Sequence, residues 1–170
     1  MDMNGLGLRR SIMMAHCKQT AIAALLLTVL LAGCGEQNGS DENASPGEAA
    51  FGPHCAGCHG MQGQGRPPNF PPLADSEWLD LPAEGLTAII LLGLRGEIEV
   101  AGRAYAGYMP PMQHLDDDQV AEIVRYLKAR WSDEDIAWTG EDVAGLRNVL
   151  AGRQMPEGRE DVDLMLEELP

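Results

Sequence analysis

Apolar and polar positions divide the chain into helical runs separated by dense breaker segments. The clearest run is Asp116 to Trp131, where Val120, Ile123, Val124, Leu127 and Trp131 form one apolar stripe at i, i+3, i+4, i+7 and i+11. Asp116 stands where an N-cap belongs, with Gln119 in capping-box spacing, and Asp117 and Asp118 suit the positive end of the helix dipole. An earlier helical pattern begins at Gly47. Gly47 and Phe51 share one face of it, and Tyr126 is expected to meet that face where a missing side chain permits close approach. Leu81 to Leu94, with Leu86, Ile89 and Ile90, predicts a short buried helix, stopped at Gly93 or Gly96. Thr139, with Asp142 three residues on, opens a short helix through Val143, Leu146 and Leu150, and Val162, Met165, Leu166 and Leu169 recur at helical spacing near the end. Gly60 to Pro72 carries three Gly and four Pro, a density that no regular element survives. Glu97 to Tyr108 is Gly-rich without clear period and is expected to be loop with a short hairpin.

The 170 residues have room for one domain with sequence left over, and two Phe, three Tyr and three Trp supply little aromatic bulk for its core. The first helical pattern runs into Cys55-Ala56-Gly57-Cys58-His59, which is C-x-x-C-H, the c-type haem attachment pattern. Two thiols three residues apart on a helical turn can each add across one vinyl group of a haem, and the adjacent His59 can offer an imidazole nitrogen to the iron. A covalent haem would supply the missing apolar mass, with Phe51, four residues before Cys55, beside the porphyrin edge. The competing reading is zinc held by His54, Cys55, Cys58 and His59. Structural zinc sites usually draw their ligands from two separated pairs, whereas the other cysteines here, Cys17 and Cys34, lie near the N-terminus.

Two further segments bear on that chemistry. The Gly60–Pro72 loop can wrap the histidine side and present a backbone carbonyl, from Pro71 or Pro72, to the other nitrogen of His59; such a bond fixes the ring and raises its basicity. Tyr108-Met109-Pro110-Pro111-Met112 offers a soft thioether donor able to ligate haem iron opposite a histidine. The two prolines after Met109 stiffen the chain and keep it out of a helix, which favours Met109 over its rivals Met112 and His114. Iron held six-coordinate in both oxidation states gains or loses an electron at low structural cost.

The N-terminus has the form of a secretory leader, with Arg9, Arg10 and Lys18 before an apolar run of eleven residues, Ala21 to Leu31. That run is short for a bilayer span. It ends in Leu31-Ala32-Gly33-Cys34, similar to a bacterial lipobox, so Cys34 is the expected lipidation site and residues 1–33 the expected signal peptide. Met13 or Met14 would give a more compact leader, and Arg9-Arg10 lacks the surroundings of a twin-arginine signal. Residues 34–46 are polar and small, a flexible tether reaching about 20 Å. Lipid anchoring on the periplasmic side of a bacterial membrane follows, the outer membrane being one address.

Net charge is −14, and removing residues 1–33 takes away one acid (Asp2) and three bases (Arg9, Arg10, Lys18), leaving −16. So acidic a chain is a poor partner for nucleic acid or anionic lipid and a better one for a protein with a basic docking surface. Residues 133–170 hold eleven acidic residues against three Arg and form either a solvated tail or a partner-docking segment.

From about Gly47 to Trp131 the chain resembles class I, mitochondrial-type monohaem cytochrome c. The resemblance rests on Phe51-x-x-x-Cys55-Ala-Gly-Cys58-His59-Gly60, Pro71-Pro72-Leu73, Gly93-Leu94-Arg95-Gly96, Val100-Ala101-Gly102, Tyr105, and Met109-Pro110-Pro111 followed by Leu115 and the Asp-capped helix. Arg130-Trp131-Ser132 and Thr139-Gly140-Glu141-Asp142-Val143 are similar to bacterial forms associated with periplasmic dehydrogenases, terminal oxidases and nitrite reductases. Met112 departs from the pattern, an aromatic being commoner there. The resemblance implies an all-α cytochrome c domain over residues 47–132, helices wrapped around one covalent haem c, and a C-terminal extension over 133–170. It implies an electron carrier with His59 and Met109 as axial ligands, rather than an enzyme by itself. The alternatives it leaves are the haem subunit of an oxidoreductase complex and a haem ligand sensor with a labile methionine.

Overall fold

A computed structural model describes residues 44–169. The leader, Cys34 and residues 34–43 of the expected tether lie outside the described residues. Helix α1, Pro46–His54, starts on Ser45, whose hydroxyl accepts from the Glu48 N–H at 3.2 Å, and has proline in its first turn, where no intrahelical donor is lost. A one-turn helix, α2 (Ala56–His59), follows at once. The breaker-rich segment then runs as an ordered loop to a 3₁₀ turn at Glu77–Asp80. Helix α3, Ala83–Leu92, is buried from Gly85 to Leu92 and ends on Gly93, at φ +78°, within the span its pattern predicts. Gly96 is not a stop; it lies in a strand.

Strands β1 (Leu94–Val100) and β2 (Arg103–Met109) form an antiparallel hairpin in register from Leu94↔Met109 to Val100↔Arg103. Its two-residue turn, Ala101-Gly102, has both φ values positive, the combination that matches strand twist. The expected loop is therefore a full hairpin, and it delivers Met109 at its far end. Helix α4, Asp117–Trp131, has the capping box between Asp116 and Gln119. Helix α5, Gly140–Leu150, has another between Thr139 and Asp142, and α6 spans Gly158–Glu167. The architecture is helix-dominated, with this one small sheet among the described residues.

The crossing of α1 and α4 is the frame. A Cβ on Gly47 would lie 2.5 Å from both the Glu122 carbonyl oxygen and Tyr126 Cβ, so only glycine admits this approach. Phe51, fully buried, then stacks against Tyr126 and Trp131 with centroids 5.4 and 5.5 Å away.

Residues 133–169 do not stand off as a solvated tail. Trp138 donates its indole N–H to the buried Thr87 hydroxyl of α3 at 3.1 Å, and Arg125 of α4 donates to the Trp138 carbonyl. Val143, Leu146, Leu150, Val162 and Met165 are buried, α5 against α3 and α4, α6 against α3 and β1. Periodicity along α5 and α6 located their apolar faces; the partners were out of its reach.

Gly47→Ala should lower stability by about 1–3 kcal/mol through overpacking, read by denaturant unfolding. Gly145→Ala, in open space on α5, should leave stability unchanged or raise it by about 0.4–1 kcal/mol. Equal effects would contradict the close crossing. The bonds from Thr139 hold the Asp142 carboxyl below its usual range. The stability that Asp142 adds over Asp142→Asn is thus present above the ordinary carboxylate pKa and is lost as pH falls through the lowered one. A difference constant down to low pH would contradict that cap.

Candidate haem site

A cavity of about 1320 Å³, its open mouth included, lies between α1–α2, the proline loop, α3, the hairpin and α4. It exceeds the ~300–1,000 Å³ of sites for drug-sized ligands. Its walls are chiefly apolar, with Leu79, Ile90, Leu94, Ile123 and Leu127 among them, and Cys55, Cys58, His59 and Met109 all line it. The residues singled out from the sequence thus converge on one place. Met112 and His54 line it too; His114 is exposed and pairs edge-on with His54 at 5.8 Å.

The loop explains how His59 is held. Gly63 and Gly65 take φ of +65° and +69°, and the Gly65 N–H donates to the His59 carbonyl at 2.7 Å. Leu73 and Ala74 N–H groups donate to the Gly63 carbonyl. These bonds fold the chain back so that Pro71, not Pro72, brings its carbonyl to His59 Nδ1 at 2.9 Å. A carbonyl only accepts, so Nδ1 carries the proton and a neutral ring keeps its lone pair on Nε2, free for a metal. Burial pulls the ring below the ordinary histidine range, against the opposing pull of the Pro71 bond, and so favours that neutral form.

Both thiols are free, and burial, with Cys58 beside it, pushes the Cys55 thiol up to about 12. A zinc site needs thiolates and four converging ligands. Among the described residues no three His, Cys, Asp or Glu side chains cluster to hold a metal ion. The donor set fits haem instead: two thiols on one helical turn, an oriented imidazole, a thioether and apolar walls sized for a macrocycle.

Met109 closes β2 and is half-buried, with its carbonyl packed over Gly93, where a Cβ would come within 2.5 Å of it. The Met112 N–H donates to the Ile90 carbonyl at 2.9 Å, which ties the chain after the two prolines to α3. Sequence reasoning gave no site role to Trp78, which lines the cavity and donates its indole N–H to the Glu99 carbonyl at 2.8 Å. The signal available was a tryptophan in a chain poor in aromatics.

Residues 44–131 match the family model described as Cytochrome c. Over 102 residues the chain is 38% identical to "Cytochrome c-552" of Thermus thermophilus, covering 55% of this chain and 78% of that protein. A second "Cytochrome c-552", from another strain of Thermus thermophilus, matches at 38% identity, with 69% of its length covered.

Gly65→Ala would place a Cβ 2.6 Å from the Pro72 nitrogen and 2.7 Å from the Phe70 carbonyl oxygen. With left-handed strain added, it should cost about 1–3 kcal/mol and shift Pro71 away from the ring. The His59 Nδ1 proton, followed by NMR, should exchange with solvent faster than in the native protein; unchanged exchange would contradict this bracing.

Proposed function

The chain belongs to the cytochrome c family and binds haem c covalently, and from that premise we propose that it is a membrane-tethered one-electron carrier whose iron is held by His59 and Met109. The observation that carries the reading is the convergence of Cys55, Cys58, His59 and Met109 on one apolar cavity, with His59 already oriented by Pro71.

Haem c, when bound, supplies an iron that cycles between ferrous and ferric and so takes or gives one electron without group transfer. The chain's residues make that exchange cheap. Cys55 and Cys58 hold the porphyrin edge. Pro71 keeps the proton on Nδ1 of His59 and directs Nε2 at the metal. Met109, rooted in the hairpin and followed by two prolines, provides the soft sulfur from another wall. The apolar walls keep water from the iron and raise the cost of ferric charge. No general acid, base or substrate-activating position is required, so the protein carries electrons and does not transform a substrate.

At the mouth, Tyr108 is 63% exposed and Phe70 37%, which offers aromatic contact to a redox partner. The acidic surface favours a partner with a basic docking face, steered over about a Debye length, ~8 Å at physiological salt. Lipidation at Cys34 would hold the domain on the periplasmic side of a bacterial membrane.

Optical spectra test the carrier. The account expects a low-spin c-type spectrum with a sulfur-to-iron band that is lost in Met109→Ala and kept in Met112→Ala. A high-spin spectrum that shifts with carbon monoxide would overturn it in favour of ligand sensing. Cys34→Ser should move the haem protein from the membrane fraction to the soluble one, and retention would contradict the anchor. Electron transfer to a basic partner should slow as salt rises; a salt-independent rate would contradict electrostatic docking.

A further inference from the structure

The Met109 side of the cavity has its own brace, and it comes from outside the family-matched segment. After β2 the chain runs from Pro110 to Asp116 without regular structure. Arg147 of α5 grips the C-terminal half of this run with all three guanidinium nitrogens. Nη1 donates to the Gln113 carbonyl at 3.3 Å, Nη2 to the Leu115 carbonyl at 2.9 Å, and Nε to Asp117 Oδ1 at 2.7 Å. Its side chain is 31% exposed, so these bonds are shielded in part from water. Leu115 between them is buried and donates its N–H to the Met112 carbonyl at 3.1 Å. Beyond α5, Met155 brings its methyl against Gly93, within 2.7 Å of where a Cβ would stand, beside the Met109 carbonyl and the Pro111 nitrogen.

We propose that Arg147, from the C-terminal extension, is a positioning residue for the Met109 ligand, clamping the segment that carries it as Pro71 braces His59. The inference rests on Met109 being that ligand. Its physical basis is the weakness of a neutral thioether as a ligand for ferric iron. Such a bond survives competition only if the backbone behind the sulfur cannot move away. Arginine suits the task because its planar fork meets two carbonyls and a carboxylate at once, which a lysine ammonium cannot do in one geometry. Residues 133–169 then act on the redox centre without lining it.

The test is imidazole binding to the ferric holoprotein, followed optically, in native protein, Arg147→Ala, Arg147→Lys, Met109→Ala and Val162→Ala. Val162 is fully buried in α6 and does not line the cavity, so Val162→Ala loosens the extension away from the clamp. Arg147→Ala should bind imidazole about tenfold more tightly than native protein, the equivalent of one charge-assisted hydrogen bond. Arg147→Lys should fall between, and Val162→Ala should match native protein despite its lower stability. Native affinity in Arg147→Ala, or equal tightening in Val162→Ala, would overturn the clamp while leaving the ligand assignment intact, provided Met109→Ala binds tightly. Met109→Ala binding no better than native protein would overturn the assignment itself, and the clamp with it.

Discussion

The hydrogen bond from His59 Nδ1 to the Pro71 carbonyl is the interaction on which the site depends. It fixes the tautomer, and with it the nitrogen left for iron. The bond exists only because the loop before it is folded in a way that ordinary residues resist. Gly63 and Gly65 adopt left-handed backbone, and Gly63 also lies where a Cβ would come within 2.6 Å of the Trp131 ring. Trp131 belongs to the α4 face on which Phe51 packs, and Phe51 precedes the haem-attachment turn by one helical turn. The crossing of α1 and α4 and the orientation of the histidine are thus one continuous piece of packing.

The two sides of the cavity are built differently. On the histidine side, the ligand sits in a helical turn and the loop supplies the brace within a dozen residues of sequence. On the methionine side, the ligand ends a strand, and its support is non-local: Gly93 beneath it, Ile90 tied to Met112, and α5 and Met155 behind. A small core poor in aromatics leaves the porphyrin as its central apolar mass. Cofactor binding and folding stability are therefore expected to be coupled.

What was legible in the sequence was what is local. Cys55, Cys58 and His59 declare themselves by spacing. The capping boxes at Asp116–Gln119 and Thr139–Asp142, and the meeting of Gly47 with Tyr126, follow from side-chain chemistry and helical period. The hairpin was only half visible, because β1 buries just its end residues, Leu94 and Val100, and shows little alternation between them. Pro71 and Pro72 were equivalent on paper, and a backbone fold with two left-handed glycines separates them. The docking of residues 133–169 was illegible for a different reason. Its acidic residues face solvent and dominate the composition, whereas Trp138 with Thr87 and Arg147 with Leu115 are contacts across tens of residues that no periodicity encodes.

The central claim is that iron keeps both His59 and Met109 through the redox cycle because the walls that bear them are held from behind. X-ray absorption at the iron edge, recorded on the ferric and ferrous holoprotein, tests it most directly. The account predicts one sulfur scatterer and an unchanged six-coordinate shell in both states, with the sulfur absent in Met109→Ala. Loss of the sulfur on oxidation, or a sulfur that persists in Met109→Ala, would contradict it.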